Sequence, residues 1–298
     1  MAHHKAAAAA LLILCGSAAH GQLPGNPADA QRQTTSASGA TTDNHEIAAE
    51  MEAIIIEGHR SSLHEEDRIG PNQQPRWTAF RRFPSTRIYV QPEGYVGVEQ
   101  WYRISEHKHG EGTRSIAQTE IEFGLPHRMQ LDLYLINRRD VPGAETQTDN
   151  AIELRYAFAD WGKVWGNPTM YFELIQQDNE ANKAEVKLLL GDEFREGWHW
   201  GTNFVWEYTM GDSKTREYEW TFGVSRTVRD DKFSLGVEAK VGIEDESGAR
   251  GEWERDYRIG PSFQWRPMPR MHIDFAPLFG WTDTSKRADI YTIFGYEF

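Results

Sequence analysis

The sequence contains almost no cysteine. Its 298 residues include a single one, Cys15, which lies in the N-terminal stretch described next. Disulfide bonds within the chain and catalysis by a dithiol pair are therefore excluded. A chain without a second thiol cannot mispair in an oxidising compartment, so this lack suits an exported protein.

Long apolar runs are also scarce, as a mean hydropathy of −0.66 indicates. Only the N-terminus has an apolar run that approaches the length of a membrane-spanning helix. Lys5 precedes the apolar stretch 6–16, and the residues S-A-A-H-G follow at 17–21. These are the three parts of a secretory signal peptide. We therefore predict a cleaved signal peptide over residues 1–21, and hence export, rather than a buried N-terminal helix.

Basic charge and catalytic motifs are lacking too. The formal net charge of −13 argues against a nucleic-acid partner. No G-x-S-x-G is present, and His199 and His272 fall at polar positions without a Ser/His/acid set on one face. The H-x-H pair at 107–109 could bind a metal, but a solvated loop is the simpler interpretation. We predict no enzyme, no cofactor and no metal site.

What the chain does have is alternation. From Tyr95 onward, apolar and polar residues alternate with period two in twelve segments of ten to fourteen residues, separated by turn residues. Strands in soluble sandwiches are usually nearer about five or six residues, whereas about 9–11 residues cross a bilayer at a steep tilt. The segments are 95–106, 115–125, 129–138, 149–160, 168–177, 183–192, 197–209, 215–228, 232–244, 254–267, 271–283 and 288–298.

The alternation gives every segment an apolar face. In 233–244, odd positions hold Phe, Leu, Val, Ala, Val and Ile, and even positions hold Ser, Gly, Glu, Lys, Gly and Glu. A soluble antiparallel sheet also alternates, but here the apolar face persists throughout and the connections alternate between tight and longer polar ones. We therefore predict an all-β fold, a transmembrane antiparallel up-and-down β-barrel of about twelve strands over residues 95–298, with both termini in the periplasm.

The last segment ends the chain with A-D-I-Y-T-I-F-G-Y-E-F, which places Phe294, Tyr296 and Phe298 on one face. It resembles the C-terminal membrane-insertion signal of bacterial outer-membrane barrels. The resemblance implies a location in the outer membrane of a Gram-negative cell and contact with outer-membrane lipid and lipopolysaccharide. It also implies recognition by the barrel-assembly machinery.

Four further stretches carry a narrower resemblance. They are E-I-E-F-G-L-P at 120–126, Y-A-F-A-D-W-G at 156–162, W-G-N-P-T-M-Y-F-E at 165–173 and K-L-L-L-G-D-E-F at 187–194. They resemble the outer-membrane transporter family associated with meta-pathway phenol degradation. The resemblance implies porin-like transport of a small aromatic compound, and it does not name the solute.

Residues 22–94 differ in composition from the barrel region. The stretch 22–44 is rich in Gln, Thr, Ser, Ala, Gly and Pro, and 59–94 is polar and punctuated by proline. We predict a flexible, disordered periplasmic N-terminal segment over 22–94. Within it, A-I-I-I-E at 53–57 slightly resembles the energy-coupling box of TonB-dependent transporters, with a plain amphipathic or disordered tail as the alternative.

The polar face of the strands should meet the barrel lumen. The predicted lumen-lining residues are Glu99, Arg103, Glu120, Glu122, Asp132, Glu153, Arg155, Glu173, Lys187, His199, Glu207, Glu219, Glu238, Lys240, Arg258, Arg266, His272 and Asp274. With Glu185, Glu217 and Glu244, inward acids outnumber Lys and Arg by thirteen to six, so an open lumen would prefer cations.

We therefore predict an outer-membrane channel or transporter that passes small solutes by passive diffusion. The alternative is a structural or adhesion barrel with a filled lumen. The sequence does not decide between these two interpretations. Barrels of about eight strands are filled by side chains and those of about sixteen are open, and a strand number of about twelve falls between them.

Overall fold

The computed structural model describes residues 64–109, 112–211, 214–230 and 232–298. The predicted signal peptide at 1–21 and the stretch 53–57 lie outside the described residues, so both stay predictions. Within the described part of the chain, no helix is long and apolar enough to cross a membrane.

Twelve of the β-strands in the described residues close a barrel. β1 and β2 form a small separate sheet, and β3 to β14 pair antiparallel in sequence order, with β14 closing the barrel on β3. The all-β, twelve-stranded up-and-down barrel is therefore confirmed. The strands are β1 (Arg68–Ile69), β2 (Gln74–Pro75), β3 (Val96–Glu106), β4 (Thr113–Leu125), β5 (Met129–Arg139), β6 (Gln147–Ala157), β7 (Thr169–Gln176), β8 (Lys183–Arg195), β9 (Trp198–Thr209), β10 (Arg216–Arg229), β11 (Phe233–Asp245), β12 (Glu254–Met268), β13 (Met271–Gly280) and β14 (Ala288–Glu297).

The barrel strands run from 8 residues in β7 to 15 in β12, close to the predicted segments. Two predicted segments extend too far, because 149–160 ends at Ala157 and 271–283 ends at Gly280. In each case the next strand in sequence offers no pairing partner for the extra residues. β7 begins at Thr169, opposite Ala157, and β14 begins at Ala288, opposite Phe279. Apolar alternation therefore continues slightly beyond the hydrogen-bonded sheet.

The two ends of the barrel differ. We call the end where β3 begins and β14 finishes the proximal end, and the opposite one the distal end. Proximal connections have two or three residues, except for the longer one at 158–168, whereas the distal connections have six to eight. Short turns at one end and longer loops at the other are typical of bacterial outer-membrane barrels.

The barrel exterior is apolar. In β6, Ile152 and Leu154 are 48% and 41% exposed, whereas Glu153 between them is fully buried. β13 repeats the pattern, with Phe275 and Phe279 exposed on either side of buried inward residues. The outer surface is thus a band of large apolar side chains, which is the surface that the hydrocarbon core of a bilayer requires.

The lumen is not empty. Residues 64–95, which we call the lumen segment, contain β1, β2 and a short 3-10 helix at Arg76–Ala79. They start at the proximal end, where the Glu65 amide donates to Asp230 Oδ1 at 3.0 Å. Trp77 and Phe83 of this segment are fully buried.

The prediction of a flexible segment over 22–94 is therefore wrong for residues 64–94, while residues 22–63 lie outside the described part of the chain. Physically, this stretch combines large apolar side chains with arginines. The apolar side chains bury inside the barrel, and the arginines find the carboxylates that the wall directs inward.

Candidate functional site in the barrel lumen

Arginines of the lumen segment bind carboxylates of the barrel wall. Arg81 Nη2 donates to Glu99 Oε2 at 2.6 Å. Arg87 donates through Nη1 to Glu122 Oε1 at 3.3 Å and through Nη2 to Glu120. Since a buried carboxylate without a cation is strongly unfavourable, these arginines make the acidic interior of β3 and β4 compatible with a closed lumen.

A third arginine, Arg82, ties two parts of the site together. Its Nη2 donates to Glu65 Oε2 at 2.9 Å, within the lumen segment. Its Nη1 donates to Ser234 Oγ of β11 at 2.5 Å. Arg82 therefore fixes the start of the lumen segment to the wall near the proximal end.

Aromatic rings anchor the lumen segment in the proximal half. Trp77 packs edge-on against Trp161 with ring centroids 5.5 Å apart, and its ring lies 4.3 Å from that of His199. Tyr89 packs edge-on against the other side of this cluster, and its hydroxyl donates to the Ala159 carbonyl at 2.6 Å. The connection at 158–168 thus contributes directly to the packing of the segment.

Glycines of the wall make room for the segment. A Cβ on Gly223 of β10 would lie 2.6 Å from Cδ1 of Phe83. A Cβ on Gly191 of β8 would lie 2.5 Å from Cγ2 of Ile88. No side chain fits at either wall position without displacing the segment, so these glycines shape a binding surface for it.

The segment reaches the middle of the barrel and then turns back. The Ser85 amide donates to Glu238 Oε2 at 2.8 Å, and Thr86 Oγ1 donates to Thr221 Oγ1 at 3.0 Å. Glu238 and Thr221 lie near the middle of β11 and β10. The lumen segment therefore fills the proximal half of the lumen and leaves the distal half free.

The distal half contains a cavity of about 630 Å³, which we call the distal cavity. Much of its lining charge is paired: Arg103 donates to both oxygens of Asp289 at 2.8 and 2.6 Å, and Lys240 lies 2.7 Å from Glu219. In the connection at 281–287, burial and the neighbouring Arg103 lower the pKa of Lys286 to about 8. The cavity is a polar compartment with both signs of charge.

A continuous row of acids crosses the inner wall. Each of β4 to β12 contributes one acidic residue that lies directly opposite the acid of the next strand, and the tilt of the strands carries the row from the proximal part of β4 to the distal end of β12. We call this set the acidic row: Glu122, Asp132, Glu153, Glu173, Glu185, Glu207, Glu217, Glu244 and Glu254.

Basic side chains of the wall pair with the members of the acidic row on β5, β6, β8 and β9. On β9, Glu207 Oε1 lies 2.6 Å from Lys183 Nζ. Arg155 donates to Glu153, and at 2.9 Å to Asp132 Oδ2. Lys187 lies 2.7 Å from Glu185. These pairs allow several carboxylates to lie close together in a buried interior.

The last three members, on β10, β11 and β12, lack such partners. Glu217, Glu244 and Glu254 line the distal cavity, and their side chains make no hydrogen bond or ion pair with any described residue. Glu217 lies directly opposite Glu244, which lies directly opposite Glu254. The distal end of the acidic row is therefore a set of three carboxyl side chains without an ion-pair partner, facing the distal cavity.

All of the predicted lumen-lining residues lie on the inner face of the barrel, in two different surroundings. Those in the proximal half, around the lumen segment, are Glu99, Glu120, Glu122, Asp132, Glu153, Arg155, His199, Glu238, Arg266, His272 and Asp274. Those lining the distal cavity are Arg103, Glu207, Glu219, Lys240 and Arg258. Glu173 and Lys187 lie between the two sets.

Sequence reasoning missed Arg81, Arg82 and Arg87 of the lumen segment and Asp289 of β14, which binds Arg103 and Arg258. Asp289 has the parity opposite to that of Phe294, Tyr296 and Phe298, so alternation alone assigns it to the inner face of its strand. The arginines gave a weaker signal: basic and aromatic residues are interleaved over 76–90, in a region otherwise poor in large apolar side chains.

Carboxylates and a histidine meet at the proximal mouth. His199 Nε2 lies 3.1 Å from Glu66 Oε1 and 3.9 Å from Glu65 Oε1, a donor set that could accept a metal ion. Glu65 is already bound by Arg82. Burial, together with the nearby carboxylate of Glu193, raises the pKa of Glu66 to about 8, so this group carries a proton at neutral pH.

The residues of the predicted membrane-insertion signal face outward. Phe294, Tyr296 and Phe298 are 39%, 44% and 72% exposed. The Phe298 amide donates to the Val96 carbonyl at 3.0 Å, which joins the end of the chain to the start of β3. The final aromatics therefore form part of the apolar exterior at the closing seam.

Comparison with known proteins finds structural neighbours only. No family model and no curated protein matches the sequence, so the resemblance to the phenol-degradation family stays a prediction. The chain is similar to the NanC porin, with a TM-score of 0.47 and 11% identity over 68% of this chain and 98% of that chain. The KdgM porin is similar with a TM-score of 0.47 and 8% identity, over 68% of this chain and 99% of that chain. The beta domain of the Bordetella autotransporter BrkA is similar with a TM-score of 0.45 and 10% identity, over 69% of this chain and 100% of that chain. The chemistry of the lumen therefore rests on this chain's own residues.

Proposed function

We propose that the protein is an outer-membrane channel for small solutes that its own lumen segment closes on the periplasmic side. The observation that carries this proposal is the division of the lumen: the segment fills the proximal half, and a cavity of about 630 Å³ remains in the distal half. Solutes enter the distal cavity from outside. They pass by diffusion when the segment leaves its site.

The location follows from the surface. The apolar exterior suits hydrocarbon, and the short proximal turns suit the periplasmic side. The longer distal connections then face the cell exterior, where the surrounding leaflet supplies lipopolysaccharide. The start of the lumen segment lies at the proximal end, which in this orientation is the periplasmic side.

The charge of the open path depends on the segment. While it is in place, Arg81 and Arg87 neutralise wall carboxylates. When it leaves, these cations leave with it and the inward acids outnumber the bases. The open channel therefore prefers cations.

A reversible lock tests the proposal. Thr86 Oγ1 and Thr221 Oγ1 are 3.0 Å apart, so Thr86→Cys together with Thr221→Cys places two thiols close enough for a disulfide between segment and wall. The signal-free chain has no other cysteine. We expect planar-bilayer openings from the reduced double variant and from the wild type, and none from the oxidised double variant.

The control is Asn137→Cys together with Thr148→Cys, a facing pair on the outer side of β5 and β6. Its disulfide joins two wall strands that already pair with each other and leaves the segment free. Openings that persist after complete oxidation of the Thr86/Thr221 variant would show that solutes do not need the segment to move. Conductance restored by a reductant would support the channel.

The second candidate is a structural or adhesion barrel with a permanently filled lumen. The apolar cluster of Trp77, Phe83, Ile88, Tyr89 and Val90 with Ala157 and Trp161 favours it, because such packing needs no opening. Folded protein without openings in either redox state would support this candidate.

A further inference from the structure

The acidic row needs cations to balance it, and the basic side chains of the wall pair with only part of it. Like charges directly opposite each other on neighbouring strands destabilise a sheet. Here the pattern repeats over nine consecutive strands, from Glu122 on β4 to Glu254 on β12. A wall needed only for barrel closure would gain stability from alternating charges at these positions.

One cation from outside the wall already occupies the proximal end of the row. The guanidinium of Arg87, on the lumen segment, donates to Glu122 and to the adjacent Glu120. Its carbon lies 5.6 Å from the centre of the Trp101 ring. Two carboxylates and an aromatic face thus form a built site for a planar organic cation.

The distal end of the acidic row faces the distal cavity, and no basic side chain of the described residues forms an ion pair with its last three members. Glu217, Glu244 and Glu254 border the distal cavity, and their side chains have no hydrogen bond or ion pair among the described residues. A cation that enters from the distal mouth meets these carboxylates first. The remaining row then leads it towards Arg87.

We infer that the acidic row binds organic cations that carry N–H donors, of the guanidinium or primary ammonium class, and guides them to the site that Arg87 occupies. Arg87 is then a tethered competitor: a cation bound at Glu120 and Glu122 replaces it and releases the lumen segment. This inference rests on the proposed function only for the consequence of release. Binding to the row does not depend on it.

Hydrogen bonding separates this ligand class from other cations. A guanidinium places paired N–H groups on a carboxylate and forms short charge-assisted hydrogen bonds. Tetramethylammonium has the same charge and no N–H donor. A merely electrostatic surface would bind both equally, whereas the row should prefer methylguanidinium.

Calorimetric titration of the full, signal-free chain in detergent micelles tests the inference, with methylguanidinium and tetramethylammonium as probes. We expect methylguanidinium to bind about tenfold more tightly, about 1.4 kcal/mol. The double variant Glu217→Gln with Glu244→Gln should lose about tenfold in affinity. The control Glu246→Gln with Glu252→Gln removes two acids of the distal connection between β11 and β12, which lie outside the row, and it should change affinity less than about twofold.

Arg87→Ala tests the competition directly. It should raise the affinity for methylguanidinium, because the carboxylates at the proximal end lose their tethered partner. A second measurement uses the oxidised Thr86/Thr221 cysteine variant, in which Arg87 is held near its site and the same titration should show weaker binding. Equal affinity for the two probes, or equal losses in the row and control variants, would overturn the inference.

The two proposals fail separately. Binding without any channel openings would refute the proposed function and leave the row as a cation-binding site. Channel openings without preferential binding of methylguanidinium would refute the cation-binding inference and leave the proposed channel function standing.

Discussion

Arg81 and Glu99 form a two-point ion pair between the lumen segment and the barrel wall, with Nε–Oε1 and Nη2–Oε2 distances of 3.2 and 2.6 Å. Both side chains are almost fully buried. Arg81→Ala leaves the Glu99 carboxylate without its principal cation, and breaking a buried pair on one side destabilises by about 3–5 kcal/mol. We expect weaker docking of the segment, measured as faster hydrogen–deuterium exchange over residues 77–90.

The matched control for this change is Arg68→Ala. Arg68 belongs to the same segment, but it is exposed and its Nη1 reaches only the Gln73 carbonyl, at 3.3 Å. Heat-dependent gel mobility reports in both variants whether the barrel itself has folded. Wild-type exchange rates in Arg81→Ala would contradict a role of this pair in holding the segment.

A steric change on the wall should expel the segment without altering any charge. Gly223→Val places a branched side chain where Cβ alone would lie 2.6 Å from the ring of Phe83. Valine suits the strand itself, so we expect an intact barrel whose lumen segment is displaced, and more frequent openings in planar bilayers.

Gly242→Val is the control for Gly223→Val. Gly242 is also an inward glycine, but a Cβ there would have its nearest neighbour at 3.7 Å, at Glu217 Oε1. Openings that rise equally in both variants would mean that bulk anywhere in the lumen, rather than contact with Phe83, disturbs the closed state.

Docking at the proximal mouth should depend on pH. Burial and Glu193 raise the pKa of Glu66 from 4.5 to about 8, so the docked state holds a proton that the undocked state releases. Docking is therefore strongest at acidic pH, and it weakens as pH rises through the window between the two values. We expect exchange over residues 64–70 to increase towards pH 8 beyond the intrinsic rate.

The variant Glu66→Gln provides the comparison at each pH. It keeps the shape and a hydrogen-bonding group but cannot lose a proton, so the ratio of wild-type to variant exchange cancels the intrinsic pH dependence. A ratio that stays constant from acidic to alkaline pH would show that Glu66 does not control docking.

The barrel wall was predictable because a period of two assigns each side chain to a face without any knowledge of its partners. Ile152, Glu153 and Leu154 are one example: their alternation in sequence becomes exposed, buried and exposed in the structure. Strand ends were less certain. Alternation at 158–160 continues after β6 has lost its partner at Ala157.

The lumen segment was not predictable in the same way. It has almost no regular secondary structure, so its apolar residues show no period. Its position is set by contacts far apart in sequence, such as the Arg87 amide and Asn203 Oδ1 at 2.8 Å. The acidic row also needed the structure, because which acids lie opposite each other depends on the register across nine strands.

The C-terminal aromatic residue allows assembly to be separated from stability. Phe298 is 72% exposed on the outer surface, so Phe298→Ser removes little packing from the folded barrel and keeps the amide that bonds Val96. If this residue is part of the signal read by the barrel-assembly machinery, the variant should insert several-fold more slowly into proteoliposomes that contain the machinery. Its unfolding midpoint in urea should be unchanged.

Phe279→Ser is the control, since Phe279 is an exposed aromatic at the distal end of β13. Equal slowing of both variants would indicate a general need for outward aromatics rather than recognition of the chain's end.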